Sequence, residues 1–265
     1  MRPHTRSYEM QDFYLLKRID DIAMLKFGKN FLFESIDRAI ENPLLDVLDY
    51  IAENDKIKVL VIMNCLEQIG WEKYIDFCRQ VLHSETDRRS IQRMCNCFDR
   101  LILKIAGLDK PVIHADCGEV IPLFLSISLA CDYRIIATHT IFQKPYFELE
   151  ILPKGGSPFF LCKMLGYSRA KRLLMSEKDI NSLEALEIGI VDHIVPYDNL
   201  EETAIQEAKD LTGRSLHSLE GIKRLINYTM KDLQDYLNFE SFELLNTIDY
   251  FVRKSTSDSI ERWLN

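Results

Sequence analysis

The run Lys58-Val59-Leu60-Val61-Ile62-Met63 constrains the fold more than any other stretch of the chain. It is short, rich in β-branched residues and apolar at every position after the lysine. A strand with one wet face alternates apolar and polar residues, whereas a strand without alternation is covered on both faces, as in a parallel sheet flanked by helices. The residues before it keep a different period. Ile36, Ile40, Leu44, Val47, Leu48 and Ile51 recur at helical spacing, with Asp37, Arg38, Glu41 and Asp46 elsewhere around the cylinder. An amphipathic helix is therefore predicted, with Pro43 marking its start or a kink. Ahead of it, Phe13 to Leu16 and Ile22 to Phe27, separated by the polar stretch 17–21 and closed by Gly28, read as a strand pair.

The alternation of element types continues. Met94, Cys95, Phe98, Leu101, Ile102 and Ile105 have helical spacing and Gly107 is the expected stop. Pro111-Val112-Ile113 opens a strand, Ser126 to Ala130 is an apolar helix, and Tyr133 to Ala137 is another strand. After Pro153 helices take over, at 159–165, 170–175, 182–188, 200–211, 218–231 and 233–251. No repeat, low-complexity tract or linker divides the chain, so the expected fold class is α/β with a C-terminal helical region.

Composition narrows the functional classes. With 265 residues, 47% of them hydrophobic, the chain can bury one large core and is read as one domain. A formal charge of −8 argues against a nucleic-acid partner, which would call for clustered cations. The local group Arg169, Lys171 and Arg172 reads as a solvated helix face or as a contact for the phosphate of a small ligand. Seven scattered cysteines without a C-x-x-C pair suggest neither a disulfide framework nor a metal site. The N-terminal residues contain no apolar leader and no segment reaches the roughly 20 apolar residues of a membrane span. A protein of the reducing cytoplasm, with no membrane partner and no cofactor, is the expectation.

Two stretches carry a resemblance to a known family. KPVIHADCGEVIPLFLSISLACDYRIIA, from Lys110, is similar to the crotonase segment K-P-V-I-A-A-V-N-G followed by a Gly-Gly-Gly turn, a helix ending A-C-D, and a strand. Further on, the chain from Ile141 to Pro196 resembles the F-x-x-P-E, P-G-x-G-G and R-A-K elements and the E-A-x-x-x-G-[IL]-V closure of that family. Ala170, Glu184, Ala185, Gly189, Val191 and Pro196 fall in order at matching spacing. Weaker similarity runs from about residue 15 to the last helix. The resemblance to the crotonase (enoyl-CoA hydratase/isomerase) superfamily implies a ββα spiral core over 1–196 and a C-terminal helical trimerisation region over 197–265, in one continuous domain. It also implies a homotrimer or hexamer. The closure residues account for a helix, its glycine cap and a strand, and identify fold rather than chemistry.

What the family does chemically sets the expectations for the site. It implies an acyl-CoA thioester as ligand, with coenzyme A part of the substrate, and two backbone N–H groups that hold the thioester oxygen as it becomes an enolate. A preorganised donor of this type is worth roughly 3 kcal/mol in a dry site. Counting back from Ala130-Cys131-Asp132 places one donor at Leu123, within Pro122-Leu123-Phe124 where the family has three glycines. The other falls at Trp71, after Gly70. Gly70, Phe124, Gly155 and Gly156 are the implied substrate-binding positions, the last two in a Gly-rich turn whose helix N-terminal amides can face an anion. The two hydratase glutamates map to Ser126 and Tyr146, neither of which is a carboxylate base. Glu148 and Glu150 lie close by in sequence, with surface duty their plainer reading. Tyr146 is either a proton or hydrogen-bond donor or a packed tyrosine. His114, Asp116 and Glu119 cluster as well, but 114 and 116 simply share a strand face. Two functions stay open: an enzyme acting through a thioester enolate with atypical residues, and a non-catalytic crotonase-fold scaffold or acyl-CoA-binding protein.

Overall fold

In the computed structural model, which describes residues 5–11, 14–28, 38–64, 71–83 and 88–264, the chain starts as an antiparallel meander. Strand β1 (Thr5–Gln11) pairs with β2 (Tyr14–Ile19), and β2 pairs with β3 (Ile22–Phe27) through a turn at Asp20 and Asp21. Asp20 sits at φ 52°, a left-handed conformation that aspartate tolerates in tight turns. Residues 17–19, read from sequence as turn, belong to β2 instead: a two-residue reversal lets the ladder run to Ile19.

Helix α1 (Arg38–Glu53) continues through Pro43, and residues 36 and 37 lie outside the described residues. The doubly covered strand is β4 (Val59–Met63), every residue of which is buried. Helix α2 (Trp71–His83) and α3 (Arg88–Gly107) follow, then β5 (Val112–Asp116), the short β6 (Glu119–Val120), α4 (Pro122–Ala130), β7 (Tyr133–Ala137) and β8 (Ile141–Phe142). The rest is α5 (Ser157–Leu165), α6 (Tyr167–Leu174), β9 (Ile180–Asn181), α7 (Ser182–Ile188), β10 (His193–Val195), α8 (Leu200–Thr212), α9 (Leu216–Asn227) and α10 (Leu233–Leu264). A capping box between Asn181 and Glu184 starts α7, and Gly189 at φ 85° ends it.

The main sheet has the order β1-β2-β3-β4-β5-β7-β10, antiparallel at the first two pairings and parallel from β3 onward. A second sheet of order β6-β8-β9 lies apart from it. Alternation within the buried strands sorts side chains into two cores. Leu60, Ile62, Val112 and Ile136 point to the larger one, shared with α1, α3, α4 and the start of α10. Val59, Val61, Ile113, Ile135 and Ala137 point to the smaller one, closed by Leu200, Ala204, Ala208 and Leu211 of α8. The two alanines let α8 lie close on the strands, and each large aliphatic residue buried here contributes roughly 1.5–3 kcal/mol. The C-terminal residues thus serve both faces, α8 on one and α10 against α2 and α3 on the other. Of the apolar residues of α10, Leu233, Leu237, Leu244, Leu245 and Ile248 are buried on the chain's own core, while Phe239 and Phe242 are exposed.

Candidate active site

Helix α4 is buried at every position, and Pro122 takes its first place, where a missing N–H costs nothing. Ile121 lends no side-chain cap, and the first intrahelical bond runs from the Leu125 N–H to the Ile121 carbonyl at 3.1 Å. The Leu123 N–H has no acceptor among the described residues. Beside it lies an apolar cavity of about 70 Å³. At about 10–15 Å³ per water, the cavity has room for roughly five waters or a short alkyl chain. Tyr74, Phe77 and Cys78 of α2 form one wall, Met94 and Phe98 of α3 another. Pro122 and Leu123 stand at its base with Ile151 and Leu152, and α10 supplies Leu244 and Ile248. Helix α2, opened by Trp71, therefore borders the same cavity as Leu123. Gly70 lies outside the described residues.

Among the described residues, Lys154 is the one charged residue on the cavity wall. Its side chain is 12% exposed and its ammonium pairs with Asp99 of α3 and, at 3.3 Å, with Glu240 of α10. Asp99 also accepts the Ser241 hydroxyl at 2.8 Å. Glu240 accepts the Gly155 N–H at 2.8 Å and the Gly156 N–H at 3.1 Å. Burial raises the carboxyl pKa of both acids above the ordinary range, with Lys154 pulling the other way. For Lys154 burial works to remove the proton, but Glu240 and Asp99 together outweigh it and the ammonium is held charged. The Cys95 thiol beside the cluster is pushed up to about 11 by burial.

The positions read from sequence fare differently. Ser126 is fully buried, its hydroxyl donating to the Lys154 carbonyl at 2.7 Å and standing 3.1 Å from the Pro122 carbonyl. The chain at Gly155, φ +90°, passes so close that a β-carbon there would lie 2.9 Å from the Ser126 β-carbon. Ser126 is therefore a packing residue under the Gly-rich turn. Tyr146 is buried, its phenol pKa raised by desolvation, and neither its hydroxyl nor that of neighbouring Ser157 makes a regular hydrogen bond. Glu148 and Glu150 are exposed, which takes Glu148 away from the cavity and onto an outer hollow with Lys144 and Asp179. The Phe124 ring packs 5.8 Å from that of Phe27, in the core rather than on the cavity wall. The Gly155 and Gly156 amides do meet an anion, but it is Glu240 of the same chain, so a ligand finds them occupied.

Two polar groups were not singled out from sequence, Asp99 and Glu240. Each interrupts an apolar helical face, Asp99 between Cys95, Phe98 and Ile102, Glu240 between Leu237 and Leu244. A charged residue at a core-facing position is the signal that could have found them. His114 and Asp116 share the sheet face that their spacing predicts. Their side chains stand 3.0 Å apart, fully buried, and the Asn64 amide donates to the other Asp116 oxygen. This ties the end of β4 to the end of β5. Among the described residues no helix is long and apolar enough to cross a membrane.

Known proteins resemble this chain in sequence and in fold. A trans-2-decenoyl-[acyl-carrier-protein] isomerase of Streptococcus mutans is 24% identical over 215 residues, 80% of this chain and 81% of that protein. A short-chain-enoyl-CoA hydratase of Clostridium acetobutylicum is 29% identical over 208 residues, 77% of this chain and 78% of that one. In fold, an enoyl-CoA hydratase from Bacillus halodurans superposes with a TM-score of 0.75 at 18% identity, covering 92% of this chain and 95% of that one. DspI of Pseudomonas aeruginosa superposes at 0.71 with 19% identity, covering 92% and 98%. The sequence model of the enoyl-CoA hydratase/isomerase family matches residues 19–263, nearly the whole length, and the chain belongs to that family.

Proposed function

We propose that the protein binds an acyl-CoA thioester with a short acyl chain and acts through its enolate, moving a proton within the acyl group rather than adding water across a double bond. Membership supports hydratase/isomerase function at the level of the family. The observation that carries the finer reading is the Leu123 N–H, without an acceptor among the described residues, at the edge of an apolar cavity. A backbone donor fixed by a buried helix needs no reorganisation when charge develops on a thioester oxygen, and one such donor is worth roughly 3 kcal/mol. The second donor of this reading is the Trp71 N–H. Water addition is disfavoured because Ser126 and Tyr146 stand where the resemblance puts the carboxylates, and both are packed away from the cavity.

A second reading, binding without turnover, draws on the Gly155 and Gly156 amides being satisfied internally by Glu240. One experiment separates the two: thermal shift and turnover with a panel of acyl-CoA thioesters. A shift with short-chain thioesters, double-bond migration and no crotonyl-CoA hydration are expected. Hydration at ordinary enzyme rates defeats the isomerase reading, a shift without turnover supports the binding role, and no shift with any thioester defeats both. The exposed Ile222, Leu225 and Ile226 of α9 and Phe239 and Phe242 of α10 support assembly as a homotrimer or hexamer. The free cysteines among the described residues accord with a cytoplasmic location.

A further inference from the structure

The cluster at the cavity wall contains one charge more than a structural ion pair needs. Asp99 and Glu240 each stand within ion-pair distance of the same Lys154 ammonium, and all three are largely removed from water. Among the described residues the sum is one surplus negative charge in a site closed by α3, the Gly-rich turn and α10. A buried carboxylate without its own counter-ion costs stability, so a fold needing only a tie between α10 and the turn would be better served by a neutral side chain. Surplus buried charge of this kind beside a cavity is the arrangement expected of a proton-transfer site.

The place matters as much as the charge. Ser126, at the position of the family's first glutamate, donates to the carbonyl of Lys154 itself, and the next residue, Gly155, gives its N–H to Glu240. The cluster is therefore one residue removed from where the resemblance expects a carboxylate, and it reaches the cavity through Lys154.

We propose that Lys154, backed by Glu240 and Asp99, is the proton-transfer centre of this protein, in place of carboxylates at 126 and 146. This rests on the enolate reading given above. In the step, a proton of the Lys154 ammonium first passes to Glu240, and the amine lone pair so freed takes the proton of the acyl C2–H bond as that bond breaks. The electron pair left on C2 becomes the enolate, whose oxygen takes the Leu123 N–H. Reversal at C4 of a β,γ-unsaturated chain returns the proton and leaves the double bond in conjugation with the thioester. The cluster goes from a net charge of −1 to zero as the enolate gains it, so charge moves without entering from solvent. Lys154 is the catalytic residue, and Glu240 and Asp99 are positioning residues that act through it.

The test is proton exchange at C2 of butyryl-CoA in deuterated water, followed by proton NMR, with affinity measured separately by calorimetry. Exchange is expected with the unchanged protein and to fall about 100-fold or more in Glu240→Gln, the low end of general acid–base contributions. Affinity for butyryl-CoA is expected to stay within about threefold and the melting temperature not to fall, since glutamine keeps an acceptor for the glycine amides and removes the surplus charge. Asp99→Asn removes the same charge from the other helix and serves if Glu240→Gln does not fold. Tyr146→Phe is expected to exchange at the unchanged rate. Binding without exchange in the unchanged protein overturns the proposal. So does unaltered exchange in Glu240→Gln and Asp99→Asn, or a parallel loss of affinity and exchange in both. Loss of exchange in Tyr146→Phe overturns it too. Failure of butyryl-CoA to bind at all sinks the thioester reading on which the proposal stands.

Discussion

Replacing Gly155 by alanine tests how tightly the Gly-rich turn is held against α4. The residue sits at φ +90°, where a side chain costs about 1–2 kcal/mol from its own backbone alone. The new β-carbon would stand 2.9 Å from the Ser126 β-carbon, a backbone-anchored atom on a fully buried helix that cannot swing aside. Overpacking of this sort typically costs a further 1–3 kcal/mol. The lower entropy of the unfolded alanine chain returns less than about 1 kcal/mol. A net loss of roughly 2–4 kcal/mol follows, and at about 2–4 °C per kcal/mol for a chain approaching this size the melting temperature should fall by about 5–15 °C. Urea denaturation of Gly155→Ala, Ser126→Gly and the double variant separates the two causes. Removing the Ser126 β-carbon should relieve the contact but not the backbone cost, giving a coupling of about 1–3 kcal/mol. A Gly155→Ala protein that melts within 1 °C of the unchanged one, or a cycle with no coupling, would refute the close approach.

Three further outcomes follow from the same geometry. Ser126→Glu, which installs the family's carboxylate, should not create crotonyl-CoA hydration and should lose about 3 kcal/mol or more, because the added charge meets the Lys154 carbonyl in a fully buried site; hydration assays and denaturation check both. Tyr146→Phe removes a buried hydroxyl that makes no regular hydrogen bond among the described residues and should leave stability unchanged or raise it by up to about 1 kcal/mol in thermal denaturation. Because burial raises the folded pKa of Glu240 above 4.5, its contribution to stability is complete below that pH and drains as pH rises through the folded value. The stability gap between Glu240→Gln and the unchanged protein should therefore widen from acid toward neutral pH. Cys95, Tyr146 and Tyr236 nearby have pKa values raised by burial and do not charge in that window.

Much of this fold is readable without coordinates, for a physical reason. Val59 to Met63 and Tyr133 to Ala137 are sandwiched between helical layers, so they lose alternation and declare themselves. Helix α3 shows its period because one face meets the core and the other water. The two-residue strands β6, β8 and β9 have too few positions for any period, and β1 lies in a polar stretch that only its pairing with β2 makes a strand. Helix α2 carried its signal in Tyr74, Phe77 and Cys78, spaced as one helical face. The site divides in the same way. Leu123, on the cavity wall, is reached by counting from a motif within one helix. The Lys154 cluster joins residues 55 and 86 positions apart, and no local pattern ties them together.

Helix α10 roofs the cavity with Leu244 and Ile248 and locks down through Glu240 and Ser241. During synthesis it leaves the ribosome after everything it covers. Until that moment Phe98, Met94 and Tyr74 face water as an open greasy trough, and Lys154 stands unmatched by one of its two acids. A nascent chain of this sequence is thus most vulnerable to aberrant association after its sheet has formed and before α10 has emerged to cover it.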